Sequence, residues 1–189
     1  MSGIAGLILA GGRSSRMGSD KALLLLHGRP ILERLLEAYE AARLAPLVVV
    51  ASPSVAQAFS ARPGLRLVPS DPSAPMIDSI ARGLEAIGDR ATAAIIQPVD
   101  APYTTPEMIA LLTQGARHAA RVLCHRGVPG HPVLLPRGCF TEVAERPEGG
   151  LRTILAEVEV ELVEWPSPEI LADLDTPADL AAERGPRLH

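Results

Sequence analysis

Hydrophobic and polar positions along this chain follow two alternating periods. Ile4 to Leu9, Leu47 to Ala51, Leu65 to Val68 and Ala93 to Ile96 are short apolar runs; between them, Ile31 to Ala42, Val55 to Ala61 and Met76 to Ile87 carry apolar residues at helical spacing. A short run that is apolar on both faces suits a strand of a parallel sheet, and the periodic segments suit helices that cover it. The pattern predicts successive βαβ units, hence an α/β fold with a mainly parallel sheet. A further helix is expected near Pro106 to Gln114, with Thr105 as its cap and Pro106 in its first turn.

After about residue 120 the rhythm shortens. Strands are expected at Arg121 to Cys124, Val133 to Leu135 and Val158 to Glu164, and helices near Cys139 to Glu145 and Leu151 to Glu157. This reads as a mixed continuation of the sheet with an excursion over a ligand cleft. Glu157, Glu159, Glu161 and Glu164 alternate with Val158, Val160, Leu162 and Val163, which a half-exposed strand explains better than a metal site.

With 189 residues the chain is expected to form one domain over 1–189. Apolar residues make up 47% and aromatics 3%, so the core must be built from Leu, Val, Ile and Ala. The net charge of −4 argues against non-specific nucleic-acid binding. A small-molecule partner is expected instead; no basic and hydrophobic signal opens the chain and no apolar run approaches the roughly 18 to 20 residues that cross a bilayer, so a cytoplasmic protein is expected. Cys124 and Cys139 lack metal-ligand spacing and are assigned no chemistry.

The densest chemistry lies in LAGGRSSRMGSDK, from Leu9 to Lys21, directly after the first apolar run. Gly11 and Gly12 let backbone N–H groups approach an anion. Ser14 and Ser15 add hydroxyls, and Arg13, Arg16 and Lys21 add cationic donors. The loop fits neither a Walker A pattern, since Lys21 follows Asp20 and precedes Ala22, nor the dinucleotide pattern, since Gly11 is followed by Gly12-Arg13-Ser14. It predicts a polyphosphate ligand, most simply a nucleotide. In α/β sheets such ligands collect beyond the carboxyl ends of strands, so this loop and QPVDAP should meet.

Asp100 in QPVDAP is a candidate magnesium ligand, because magnesium takes one or two protein carboxylates together with phosphate oxygens; capping of its own loop is the alternative. Asp173 and Asp175 in LADLDTPADL invite the same reading, against a plain helix cap by Asp175 or Thr176. His131 in GHPVLLP suggests a fixed loop entering a strand. Attack by a phosphate oxygen, already anionic, needs no general base, which leaves His131 a pocket role. Arg152, after Gly149-Gly150, could reach an acceptor phosphate or be a solvated helix-start arginine.

Together, LAGGRSSRMGSDKALL, HGRPIL, PMIDSIARGL, QPVDAPYTTPEM, GHPVLLP, GGLRTIL and DLDTPADL resemble the MobA-like nucleotidyltransferases, which include molybdenum-cofactor guanylyl- and cytidylyltransferases, and more distantly the sugar-phosphate nucleotidyltransferases. The resemblance implies a three-layer Rossmann-like nucleotidyltransferase fold with a mostly parallel, mixed sheet. It implies transfer of a nucleoside monophosphate from GTP or CTP to a phosphorylated, molybdopterin-like acceptor, with Mg2+ as cofactor. The recipient of the product would be a molybdoenzyme or a cofactor-biosynthesis protein. By the same resemblance Leu9, Ala10, Gly11, Gly12, Arg13, Ser14, Ser15, Lys21, Asp78 and Ser79 hold the nucleotide, and Arg16, Lys21 and Asp100 act in catalysis. Asp100 and Asp175 hold the metal, and His131 and Arg152 meet the acceptor. Gly11 matches the guanylyltransferase form of the loop, whereas GHPVLLP, GGLRTIL and DLDTPADL sit closer to the cytidylyltransferase branch. A sugar-phosphate acceptor and a non-catalytic nucleotide-binding accessory protein stay open.

Overall fold

The computed structural model describes residues 3–11, 20–115, 118–145 and 151–174. In chain order the strands are β1 (Gly3–Ala10), β2 (Leu25–Leu26), β3 (Arg29–Pro30), β4 (Leu47–Ala51), β5 (Leu65–Pro69), β6 (Ala91–Pro98), β7 (Ala120–His125), β8 (Val128–Pro136) and β9 (Val160–Glu164). The helices are α1 (Ile31–Ala41), α2 (Pro53–Phe59), α3 (Met76–Ile87), α4 (Pro106–Thr113), α5 (Phe140–Glu145) and α6 (Leu151–Leu155).

Among the described residues seven strands form one sheet in the order β5-β4-β1-β6-β8-β7-β9. β5, β4, β1 and β6 run parallel, β8 lies antiparallel between β6 and β7, and β9 runs parallel to β7. The sheet is therefore mixed and mostly parallel. Adjacent side chains of one strand feed opposite cores. Ile8 packs with Leu32, Leu35 and Tyr39 of α1 and Met108 of α4, while Leu7 and Leu9 pack with Ile77, Ile80 and Leu84 of α3 and Ile154 of α6. The result is three layers, helix–sheet–helix.

The expected elements are present, with boundary shifts that have local causes. α2 begins at Pro53 because Ser52 caps it, its Oγ accepting from Val55 N at 3.3 Å. HGRP, not predicted as structure, turns the small β2–β3 hairpin: His27 (φ 51°) and Gly28 (φ 80°) both adopt the left-handed region that a two-residue hairpin turn requires. β8 is much longer than Val133 to Leu135, and His131 lies inside it rather than in a loop ahead of it. Pro129, Gly130 and Pro132 disguise the strand in the sequence, and the pairing accommodates them by a bulge. Val122 pairs with Val133 and Cys124 with Pro129, so Gly130, His131 and Pro132 stand opposite Leu123 alone. A bulge of this kind bends the strand and re-aims the side chains it carries.

Candidate active site

β1 and β6 are parallel neighbours, Leu9 opposite Pro98, so the loops leaving their carboxyl ends emerge side by side. Val99 N donates to Leu9 O at 3.0 Å, fixing the second loop against the first. As the topology demands, Lys21 and Asp100 meet: Nζ lies 3.9 Å from Oδ2, with Lys21 only 15% exposed and Asp100 31%. Beside them is a cavity of about 510 Å³ walled by the ends of β1 and β6, the Asp71–Met76 segment and the first turn of α3. Leu9, Ala10, Gly11, Lys21, Ser79 and Asp100 line it. Asp78, one position along α3, is not among the lining residues, and its amide donates to Pro75 O. Gly12, Arg13, Ser14, Ser15 and Arg16 lie outside the described residues.

The turn carrying Asp100 is braced from within the core. Gln97 is fully buried; its Nε2 donates to Ala101 O, and its Oε1 accepts from Thr104 Oγ1 at 2.6 Å. A buried amide with its partners in place holds the backbone between them. The chain also returns to this turn from its other end, where Leu174 N donates to Asp100 O at 2.7 Å. Leu174 of LADLDTPADL thus reaches the Asp100 turn, and Asp175 lies outside the described residues. Among the described residues no three His, Cys, Asp or Glu side chains converge to hold a metal by themselves.

Sequence reasoning passed over Gln97, Asp20 and the Asp71–Ser73 turn, all now placed at the site. Asp71 Oδ1 accepts from Ser73 Oγ at 2.6 Å and Ser73 N at 2.8 Å, and these bonds hold its carboxyl below the usual aspartate range. Asp71 therefore faces the cavity as an anion. The Ser-Asp-Pro-Ser run is a readable turn signature. Gln97 left no such trace, because an amide inside an apolar run looks like an interruption.

A second, larger cavity of about 890 Å³ adjoins the first, and Met76 forms a wall of both. It lies over the face of β7, β8 and β9 and is closed on one side by α6. Its lining is largely apolar, and Met76, Val128 and Leu162, each about half exposed, all border it. His131, Arg152 and Asp173 are its polar groups. Burial pushes the His131 imidazole below its ordinary value, the charge of Asp100 acting in the opposite sense, so the ring is neutral at pH 7. Its Nδ1 is buried and makes no hydrogen bond among the described residues. Arg152 is exposed on α6, at the rim. The two thiols lie elsewhere: Cys124 and Cys139 are free and buried, Cys124 donating to Glu164 at 3.2 Å. No helix among the described residues is long and apolar enough to cross a membrane.

Residues 6–162 match the sequence model of the MobA-like NTP transferase domain. A 2-C-methyl-D-erythritol 4-phosphate cytidylyltransferase of Frankia casuarinae is 32% identical over 70% of this chain, a stretch that spans 47% of the Frankia protein. A probable molybdenum cofactor guanylyltransferase of Nostoc is 28% identical over 98% of this chain and 92% of its own length. In fold, Rv0371c of Mycobacterium tuberculosis superposes with a TM-score of 0.83 at 24% identity, over 96% of this chain and 97% of that one. With residues 6–162 matched and the βαβ core and its carboxyl-end cavity in place, the chain belongs to the MobA-like NTP transferase family and shares with these relatives the enzyme class of nucleotidyltransferase.

Proposed function

We propose that this protein transfers a nucleoside monophosphate from GTP or CTP to the phosphate of a molybdopterin-like acceptor and releases pyrophosphate. The observation that carries the reading is the Lys21–Asp100 pair, 3.9 Å apart where the loops after β1 and β6 open onto the nucleotide-sized cavity. Bringing an anionic phosphate to an anionic triphosphate costs about 4 kcal/mol per pair of unit charges at ~4 Å and an effective dielectric near 20. Cationic groups must cancel that repulsion. Lys21 faces the place where the departing pyrophosphate would lie, and in-line positioning by the cavity walls supplies most of the remaining acceleration.

The donor set fits magnesium. An ion with several retained waters and phosphate-oxygen ligands requires only one or two protein carboxylates beside a phosphate site, and an all-protein cage is not needed. Asp100 would hold it, joined by Asp175 from the segment that Leu174 ties to the same turn. When bound, the ion supplies charge neutralisation between the two phosphates. The acceptor's phosphate oxygen forms the new bond to the α-phosphorus as the bond to the bridging oxygen breaks. No side chain need take a proton.

The second cavity supports a flat acceptor, whose ring faces can lie on apolar walls while its polar atoms stay at the ring edge, over a sugar phosphate. A sugar would present hydroxyls to Val122, Val133, Val160 and Leu162, which cannot pair them. His131 Nδ1 and Arg152 are the groups we assign to the acceptor's polar end. Pyrophosphate release from each of the four ribonucleoside triphosphates, with magnesium and molybdopterin, tests the whole reading. Release is expected with GTP or CTP, and Lys21→Ala and Asp100→Ala should each lower it by roughly 100-fold or more with an unchanged melting midpoint. Near-normal release by either variant counts against the assignment. Binding without release for every acceptor favours an accessory protein.

A further inference from the structure

The aspartate directly before Lys21 makes no cap bond where one is expected. Asp20 occupies the N-cap position of the short 3-10 turn Lys21–Leu23, yet its side chain makes no hydrogen bond to that turn. It reaches instead to the start of α2. Ser52 Oγ donates to Asp20 Oδ2 at 3.0 Å, and Ser54 Oγ donates to the same oxygen. Ser52 is also the α2 cap, its oxygen accepting from Val55 N, so the clasp is anchored on a helix start packed at the end of β4. The backbone continues the hold: Leu23 N donates to Asp20 O at 2.9 Å and Leu24 N to Lys21 O at 3.1 Å.

An anionic side chain lining a triphosphate cavity repels the ligand unless something else is gained by it. Two hydroxyl donors on one carboxylate oxygen satisfy that oxygen and fix the carboxylate, and with it the φ/ψ of the residue whose neighbour must point at Asp100. We infer that Asp20, Ser52 and Ser54 form a positioning clasp that aims Lys21 into the nucleotide cavity, joining the end of the phosphate loop to the α2 start 32 residues away. Asp20 is a positioning residue, acting through Lys21. This rests on the nucleotide reading of that cavity, and the alternative, Asp20 as a direct ligand to a metal ion, is separated from it below.

The test measures GTP and CTP dissociation constants with magnesium, without acceptor, and amide hydrogen exchange without nucleotide. Ser52→Ala/Ser54→Ala should weaken nucleotide binding about tenfold, Asp20→Ala by a similar factor, and the triple variant no further. In a Lys21→Ala background the clasp variants should cost nothing more, an outcome that general destabilisation would not give. Ser54→Ala alone leaves the α2 cap intact and should show part of the effect, about threefold, so the inference stands or falls even where the larger variants fold poorly. Exchange at Leu23 and Leu24 should quicken at least tenfold in the double variant whether or not nucleotide binds. If Asp20→Ala weakens magnesium-dependent binding while the serine variants are silent, Asp20 acts on the metal and the clasp is wrong. Serine variants with wild-type binding and exchange overturn it too. If instead the wild type binds no nucleotide but exchange responds as expected, the clasp stands and the reading of the cavity fails.

Discussion

Gly11 shows how much one missing carbon decides. A Cβ there would sit 2.1 Å from Ser70 Cβ and 2.4 Å from Ser70 Oγ, because the loops leaving β1 and β5 converge around it. Gly11 and Ser70 are one unit, the serine side chain occupying the volume an alanine would need. Gly11→Ala alone should weaken nucleotide binding at least tenfold, and Ser70→Gly in the same chain should recover most of the loss; Ser70→Ala should not, since it keeps the clashing carbon. Isothermal titration of the three single variants and the two doubles reads this coupling. The glycine was conspicuous in the sequence, but its partner 59 positions away was not, because a serine at a strand end carries no pattern.

Between elements, the tie that matters most runs from β8 to the segment that returns to Asp100. A Cβ on Gly130 would lie 2.3 Å from Ile170 O, so the 3-10 turn Pro168–Leu171 rests directly on the strand's backbone. Gly130→Ala should cost about 1–3 kcal/mol, as overpacking does, and should lower turnover more than a surface change of equal cost because it displaces the approach of Leu174 to Asp100. Thermal melts beside pyrophosphate assays separate the two effects. The β7–β8 turn has its own anchor: Arg126 N donates to Glu164 Oε1 at 2.6 Å, and this bond, with the Cys124 thiol, holds the Glu164 carboxyl below the usual glutamate range. A carboxyl depressed in the folded state takes up a proton more readily unfolded, so its stabilisation is present above its unfolded pKa and is lost as pH falls through its folded pKa. Glu164→Gln should therefore lower stability in the neutral range, where the wild-type carboxylate contributes, and flatten the acid limb, the two proteins converging as pH falls below the ordinary glutamate range. Acid titrations followed by circular dichroism give that slope. GHP marked a special backbone in the sequence, yet the bulge and the turn it admits depend on residues 40 positions on.

Across the whole molecule the sheet has a parallel half that holds the first cavity and a mixed half that carries the second one. Arg121 helps hold the mixed half together. Its guanidinium, 8% exposed, donates to Glu161 of edge strand β9 at 2.8 and 2.9 Å and to the carbonyls of Leu111 and Leu112 at the end of α4. Arg121→Ala leaves those carbonyls without their donor, while the half-exposed Glu161 carboxylate turns to water, and should cost about 1–3 kcal/mol in urea unfolding. By itself the sequence determined the βαβ order and, the β2–β3 hairpin apart, the strands and helices of the first hundred residues nearly to their ends, because periodicity and caps are written within a dozen neighbours. The tertiary structure alone decided that Asp100 stands 3.9 Å from Lys21, that the Leu174 segment reaches the same turn, that Gln97 braces it, and that His131 comes to the second cavity on a bulge. Strand order, register and the space left by a missing Cβ arise from packing between distant segments, which no local pattern records.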